Sequence, residues 1–136
     1  MDTTIRQLIR KYKTKDPFEL AERLNITVWF RDLGRGTRGL YMRKLRRRYI
    51  VIHEGLDDPW KRFVCAHELA HDRLHPGLSR FWLDEHSFFH AGKFERQANK
   101  FAIRLLTAGD YPSRGETIKE FLQRHNIPVE MARFYF

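Results

Sequence analysis

The residues most suggestive of chemistry form an H-E-x-x-H pattern at positions 67–71. Residues four apart lie on one face of a helix, so the imidazoles of His67 and His71 can point at one zinc ion. Glu68 can face the same cleft and accept a proton from metal-bound water. The same five residues are also compatible with a surface helix that carries a His-Glu-His cluster. The interpretation therefore depends on a supporting helix and a third ligand.

A third ligand is available downstream. Catalytic zinc requires three protein ligands and one open position for water. Apolar residues between about Lys93 and Leu106 recur with helical spacing, which predicts a strongly amphipathic helix. Glu95 and Asn99 lie four apart on it, so Glu95 can bind the metal while Asn99 orients a ligand histidine. A longer pattern with a third histidine fails, because residue 77 is glycine.

The helix that carries the H-E-x-x-H pattern is predicted without reference to its histidines. Asp57 or Asp58 can cap its start, and Pro59 suits the first turn. The Pro-Gly pair at 76–77 ends it. The metal pattern thus has the helical context that its geometry needs.

The remaining elements give an α+β fold class. A basic amphipathic helix is predicted at about residues 3–13, and a second helix begins at Pro17 with Asp16 as its N-cap. Short strands are predicted at residues 26–30, 39–42 and 49–53. Residues 78–92 show no regular pattern, and two short helices are predicted near 113–125 and 127–134. We expect one domain over residues 1–136, with helices packed on a sheet of about three strands and the H-E-x-x-H helix crossed by the helix of Glu95.

Several segments occur together with the H-E-x-x-H pattern. They are Asp16-Pro17-Phe18-Glu19-Leu20-Ala21, Gly39-Leu40-Tyr41, Arg62-Phe63 through His71, Leu74-His75-Pro76-Gly77 and Glu95-x-x-Ala98-Asn99-x-Phe101-Ala102-x-x-Leu105-Leu106. In combination they resemble the ImmA/IrrE family of zinc metallopeptidases, which occur in phages, integrative elements and stress-response regulons. The resemblance covers about residues 16–107.

The resemblance implies a function and a set of site residues. His67, His71 and Glu95 would bind Zn²⁺ and Glu68 would be the general base of an endopeptidase. The implied substrate is a helix-turn-helix transcriptional repressor, whose cleavage relieves repression.

The chain also departs from the family pattern at several points. Ala70 stands where the family often has glycine, and residues 107–108 are Thr-Ala where Met-Pro is common. The chain also ends soon after the resemblance does, so we expect that a C-terminal substrate-recognition region of longer relatives is reduced or absent.

The formal net charge of +9 favours an acidic partner without identifying one. The basic run Arg43–Arg48 is interpreted either as a solvated hairpin turn or as a contact surface. No nucleic-acid recognition motif is visible, so direct nucleic-acid binding is not predicted. Two rival functions remain open: a partner-binding anti-repressor with a structural zinc, and a DNA-binding regulator suggested by charge alone. Glu68 favours the peptidase, because a structural zinc has no use for a carboxylate beside its ligands.

Other residues could contribute to a site or mislead its assignment. His86 and His90, with Glu85, form a rival metal pattern that lacks a helical context. The remaining candidates are His75 (packing, or charge at the helix end), His53 (cleft lining) and Cys65 (buried apolar role). Possible oxyanion donors are Tyr41, Tyr49 and Tyr111. A substrate lip or a small satellite core could form from Phe81, Trp82, Phe88 and Phe89.

The sequence predicts a cytoplasmic protein with no membrane association. No apolar run approaches the ~20 residues that cross a bilayer, and the N-terminus does not read as a secretory signal. Its one cysteine cannot form an internal disulfide.

Overall fold

Two helices open the chain, and each starts or ends at a residue suited to that position. The structure is a computed structural model that describes residues 1–77, 80–84 and 92–136. Helix α1 spans Asp2–Tyr12 and ends at Lys13, which has a left-handed backbone with φ of 60°. Helix α2 spans Pro17–Arg23, and the carboxylate of Asp16 accepts a hydrogen bond from the Phe18 backbone N–H at 3.0 Å. The predicted cap at Asp16 is confirmed.

A mixed sheet follows, with the strand order β1-β3-β2-β4. The strands are β1 (Thr27–Arg31), β2 (Thr37–Lys44), β3 (Arg47–His53) and β4 (Arg80–Asp84). β1 pairs with β3 in parallel, whereas β2 is antiparallel to both β3 and β4. The α+β class is confirmed, but the sheet has four strands among the described residues, where the sequence predicted about three. β4 lies within the segment interpreted as irregular, because backbone pairing with β2 stabilises a strand whose own pattern is weak.

Helix α3 spans Asp58–Leu74 and packs across β2 and β3. Its N-cap is Asp57, whose carboxylate accepts from the Trp60 backbone N–H at 3.0 Å. The sheet presents Ile50 and Ile52 to the core, and both are fully buried. Every residue from 63 to 72 of α3 is buried as well. The helix that carries the H-E-x-x-H pattern is therefore the centre of the fold.

Helix α4 spans Lys93–Leu106, as predicted, and packs against α3. Helix α5 spans Ile118–Arg124 and starts later than predicted, with a capping box formed by Thr117 and Glu120. The last element, Val129–Phe134, is a 3₁₀ helix. None of the described helices is long and apolar enough to cross a membrane.

Candidate metal centre

Helices α3 and α4 bring three side chains that could bind a metal to one point. His67 Nε2 lies 2.9 Å from Glu95 Oε2, and His71 Nε2 lies 2.8 Å from Glu95 Oε1. The two Nε2 atoms are 3.3 Å apart. Both imidazoles are fully buried, and the Glu95 side chain is 15% exposed. These are the three residues that the sequence predicted as ligands, and they form a group that could hold a metal ion.

The position of Asn99 determines which nitrogen of His67 carries the proton. Asn99 is fully buried, and its Oδ1 lies 2.7 Å from His67 Nδ1. Because an amide oxygen only accepts, Nδ1–H of His67 is the donor. In this tautomer the lone pair of His67 is on Nε2, the atom that faces Glu95. The structure thus brings Asn99 to the back of a ligand histidine, where the sequence predicted it.

His71 is supported on its far side by a second imidazole. His71 Nδ1 lies 2.9 Å from His75 Nδ1, and His75 Nε2 lies 2.8 Å from Gln97 Oε1. Burial lowers the pKa of His71 to about 4, so its ring is neutral near pH 7. The sequence favoured packing or helix-end charge for His75. The structure instead joins it to a residue of the site.

The geometry of the three ligand atoms fits a zinc ion. The hydrogen-bond partners on the two Nδ1 atoms direct both Nε2 lone pairs at the Glu95 carboxylate, with these atoms within 3.3 Å of one another, an arrangement that repels itself unless a cation lies among them. Zinc bonds of ~2.0–2.1 Å in a tetrahedron place ligand atoms about 3.3 Å apart, close to the observed separations.

Glu68 lies beside this group without contacting a donor. Its Oε1 is 3.8 Å from His67 Nε2 and 4.0 Å from His71 Nε2. The side chain is fully buried, and neither oxygen has a hydrogen-bond partner among the described residues. Burial and the nearby Glu95 charge raise the pKa of Glu68 well above its usual value. An unpartnered buried carboxylate is costly, so its place beside a potential metal and water site indicates a chemical role.

The strand behind Glu68 approaches α3 unusually closely at Gly39. A Cβ at this position would lie 3.0 Å from Glu68 Oε2 and would overlap the Val64 side chain. Only glycine therefore lets β2 lie against α3 at this point, and the backbone of β2 forms one wall around the Glu68 carboxylate.

We expect Gly39→Ala to destabilise the protein by about 1–3 kcal/mol, because Val64 and Glu68 must shift to admit the methyl group. Urea unfolding measures the loss. Gly77→Ala is the matched control, since its Cβ would meet no atom within 4 Å. Equal stability of the two variants would contradict the close packing of β2 on α3.

The residue after His71 anchors α3 to the sheet, and the sequence did not identify it. Asp72 accepts hydrogen bonds from the Tyr41 hydroxyl at 2.7 Å, from Arg48 Nη1 at 2.9 Å and from Arg73 Nε at 2.8 Å. Burial acts against ionisation, but the bonds from Tyr41 and Arg73 hold the pKa of Asp72 below its usual value. The sequence signal that could have identified Asp72 was its negative charge directly after the H-E-x-x-H pattern, in a chain that also contains the basic run Arg43–Arg48.

This anchor changes the interpretation of two residues. Burial, with the Asp72 hydrogen bond, raises the pKa of Tyr41, and its hydroxyl is committed to that carboxylate. Tyr41 is therefore not placed as an oxyanion donor. Arg48 belongs to the anchor rather than to a solvated turn, whereas Arg46 and Arg47 are exposed.

The other candidates are placed as follows. Tyr49 stacks against Trp29 with ring centroids 5.0 Å apart, and Tyr111 is 79% exposed. His53 Nδ1 accepts from the Leu33 backbone N–H at 3.0 Å, and Cys65 is fully buried as expected. Phe81 and Trp82 lie in β4. The rival metal pattern of Glu85, His86 and His90, together with Phe88 and Phe89, lies outside the described residues.

Comparisons with known proteins show the family of this chain. Residues 21–134 match the model of a peptidase family described as the IrrE N-terminal-like domain. The chain is 36% identical over 132 residues to Uncharacterized immunity region protein 2 of Bacillus phage phi105, covering 94% of this chain and 84% of that protein. It is 31% identical over 103 residues to Metallopeptidase ImmA of Bacillus subtilis (strain 168), covering 75% of this chain and 60% of ImmA. The chain therefore belongs to the ImmA/IrrE family of metallopeptidases.

Proposed function

We propose that this protein is a zinc-dependent endopeptidase in which His67, His71 and Glu95 bind the metal and Glu68 is the catalytic base. One observation carries the proposal: three electron-pair donors converge beside a buried carboxylate that has no protein partner in the described part of the chain. A structural zinc site would be closed by a fourth ligand, whereas the three ligands found in the described part of the chain leave a position for water.

The donor set favours zinc among the common metals. Two imidazole nitrogens and one carboxylate oxygen form a His₂Glu set that is typical of catalytic zinc sites. Magnesium and calcium prefer oxygen-only ligands, which this site does not supply. When bound, zinc lowers the pKa of water and polarises a peptide carbonyl.

The protein's own contribution is to hold the base and move a proton. Glu68 accepts the proton of the attacking water at Oε1, the oxygen that faces both Nε2 atoms, and delivers it to the leaving amine nitrogen. Burial supports this role, because a carboxylate with a raised pKa is a stronger base. Asn99 keeps the Nδ1 proton of His67 away from the metal side.

The sheet offers an edge for an extended substrate. Among the described strands, β4 is the outer neighbour of β2, the strand that contacts Glu68 at Gly39. A peptide that adds to β4 would lie closer to the base than one that adds to β1, the opposite edge. We therefore place the substrate along β4, held by main-chain hydrogen bonds.

We propose a helix-turn-helix repressor as the substrate. We accordingly propose that the protein is cytoplasmic, because it must meet this substrate there. The family resemblance supports this, as does the similarity to a phage protein named for its immunity region. The test is to incubate the zinc-loaded protein with a purified helix-turn-helix repressor encoded near its gene and to map fragments by mass spectrometry. Specific cleavage that a zinc chelator blocks would support the proposal. An intact repressor with or without zinc would contradict it.

The exposed part of the basic run gives a further prediction about association. Arg46 and Arg47 lie at the β2–β3 turn and can steer an acidic surface of the substrate, an effect that salt screens. Replacing both with alanine should slow cleavage at low salt and leave zinc content unchanged. The charge-matched control is alanine at Arg114 and Lys119, which are also exposed. Equal cleavage rates for the two variants at low salt would show that the β2–β3 turn is solvated and does not contribute to substrate association.

A further inference from the structure

The supports of the two ligand histidines differ. His67 is backed directly by the Asn99 amide oxygen, whereas His71 is backed by His75, which is in turn backed by Gln97. His75 is the C-cap residue of α3 and is 6% exposed. This series of contacts therefore extends from the candidate metal centre, through His75 at the end of α3, to Gln97 on α4.

The positions of the protons in this series of contacts follow from Gln97, the member farthest from the candidate metal centre. Gln97 Oε1 is an acceptor, so His75 donates its Nε2 proton across 2.8 Å. The tautomer of His75 that donates at Nε2 has its lone pair on Nδ1, and that atom accepts from His71 Nδ1 across 2.9 Å. His71 is left with a lone pair on Nε2, the atom that faces Glu95 and His67. Reversal of the Gln97 amide would reverse both bonds and put a proton on the metal side of His71.

We infer that His75 and Gln97 form a positioning relay that fixes the proton of His71 on Nδ1 and so holds its Nε2 ready for the metal. The inference rests on the proposed zinc centre. Helix α4 also supplies the third ligand, Glu95, and the direct support, Asn99, so one helix organises both histidines. Phe94 of the same helix packs on the His75 ring with centroids 4.4 Å apart and restricts its rotation.

A relay and a packing role predict different outcomes for a matched pair of variants. Asn has nearly the size of Leu, but its Oδ1 can take the place of the His75 Nδ1 acceptor. Partners behind metal ligands typically contribute about 10–100-fold to metal affinity. We expect His75→Leu to weaken zinc binding by about that factor and His75→Asn to stay much closer to the wild type. At Gln97, Leu should weaken binding, whereas Glu, which keeps an acceptor oxygen, should not.

The experiment measures zinc dissociation constants of the full chain by competition with a chromogenic chelator, and the thermal midpoint of each zinc-free protein. Equal zinc affinity of His75→Leu and His75→Asn would overturn the relay. So would a loss of zinc affinity that merely parallels a fall in the thermal midpoint of the zinc-free variants. If His75→Leu does not fold, the Gln97→Leu and Gln97→Glu pair decides, because Gln97 is only half-buried. A wild-type chain that binds no zinc would instead refute the metal centre itself.

Discussion

Glu68→Gln should keep the fold and the zinc content of the wild type while losing nearly all proteolysis. Glutamine has the size of glutamate, so the packing against Gly39 and Val64 is retained. The amide cannot accept the proton of water, and removal of a general base costs about 10²–10⁴ in rate. The substitution also removes a buried carboxylate that has no partner among the described residues, so stability should not fall.

The measurement compares cleavage rates of zinc-loaded wild type, Glu68→Gln and Glu54→Gln. Glu54 is exposed and outside the site, so its variant controls for the loss of one negative charge. A cleavage rate in Glu68→Gln equal to that of the wild type would refute the proposed base. If the wild type and Glu68→Gln relieved repression equally, with no cleaved repressor, the partner-binding alternative would replace the peptidase.

The sequence predicted which side chains lie together at the candidate metal centre because their arrangement depends on local spacing. His67 and His71 share a face of α3, and Glu95 and Asn99 share a face of α4, whenever both segments are helical. Both helices are long, strongly periodic and bounded by residues that stop or start a helix. The fold class, predicted from the same local patterns, and the family, predicted from the resemblance of several segments, are confirmed.

What the sequence missed depends on contacts between distant segments. β4 is stabilised by its pairing with β2. Asp72 accepts hydrogen bonds from Tyr41 on β2 and from Arg48 on β3. Nothing in the basic run distinguishes Arg48 from its neighbours until strand β3 directs it toward α3. The same limit applies to His75, whose partner Gln97 lies 22 residues away on another helix. The repressor substrate stays a prediction, because neither the fold nor the site identifies a particular protein partner.

Glu95→Ala should lose most of the zinc that the wild-type protein binds, about one ion per chain. The variant leaves only His67 and His71, and two imidazoles on one helix do not make the three-ligand site that catalytic zinc requires. Glu68, the other carboxylate near both Nε2 atoms in the described part of the chain, lies 3.8 and 4.0 Å from them and is directed by its packing against Gly39. It therefore does not replace the lost ligand. Zinc binding should also raise the thermal midpoint of the wild type, and this shift should be small in the variant.

Elemental analysis of the purified proteins gives the zinc content, with Glu130→Ala as the control for an exposed carboxylate. Retention of a full zinc ion by Glu95→Ala would remove Glu95 from the site. The same measurement on His86→Ala tests the rival metal pattern, which shares none of these ligands. Loss of zinc in His86→Ala, with zinc kept in Glu95→Ala, would assign the metal site to the rival pattern instead of to α3 and α4. Loss in Glu95→Ala alone would support the site between the two helices, because there one carboxylate joins both histidines of the motif.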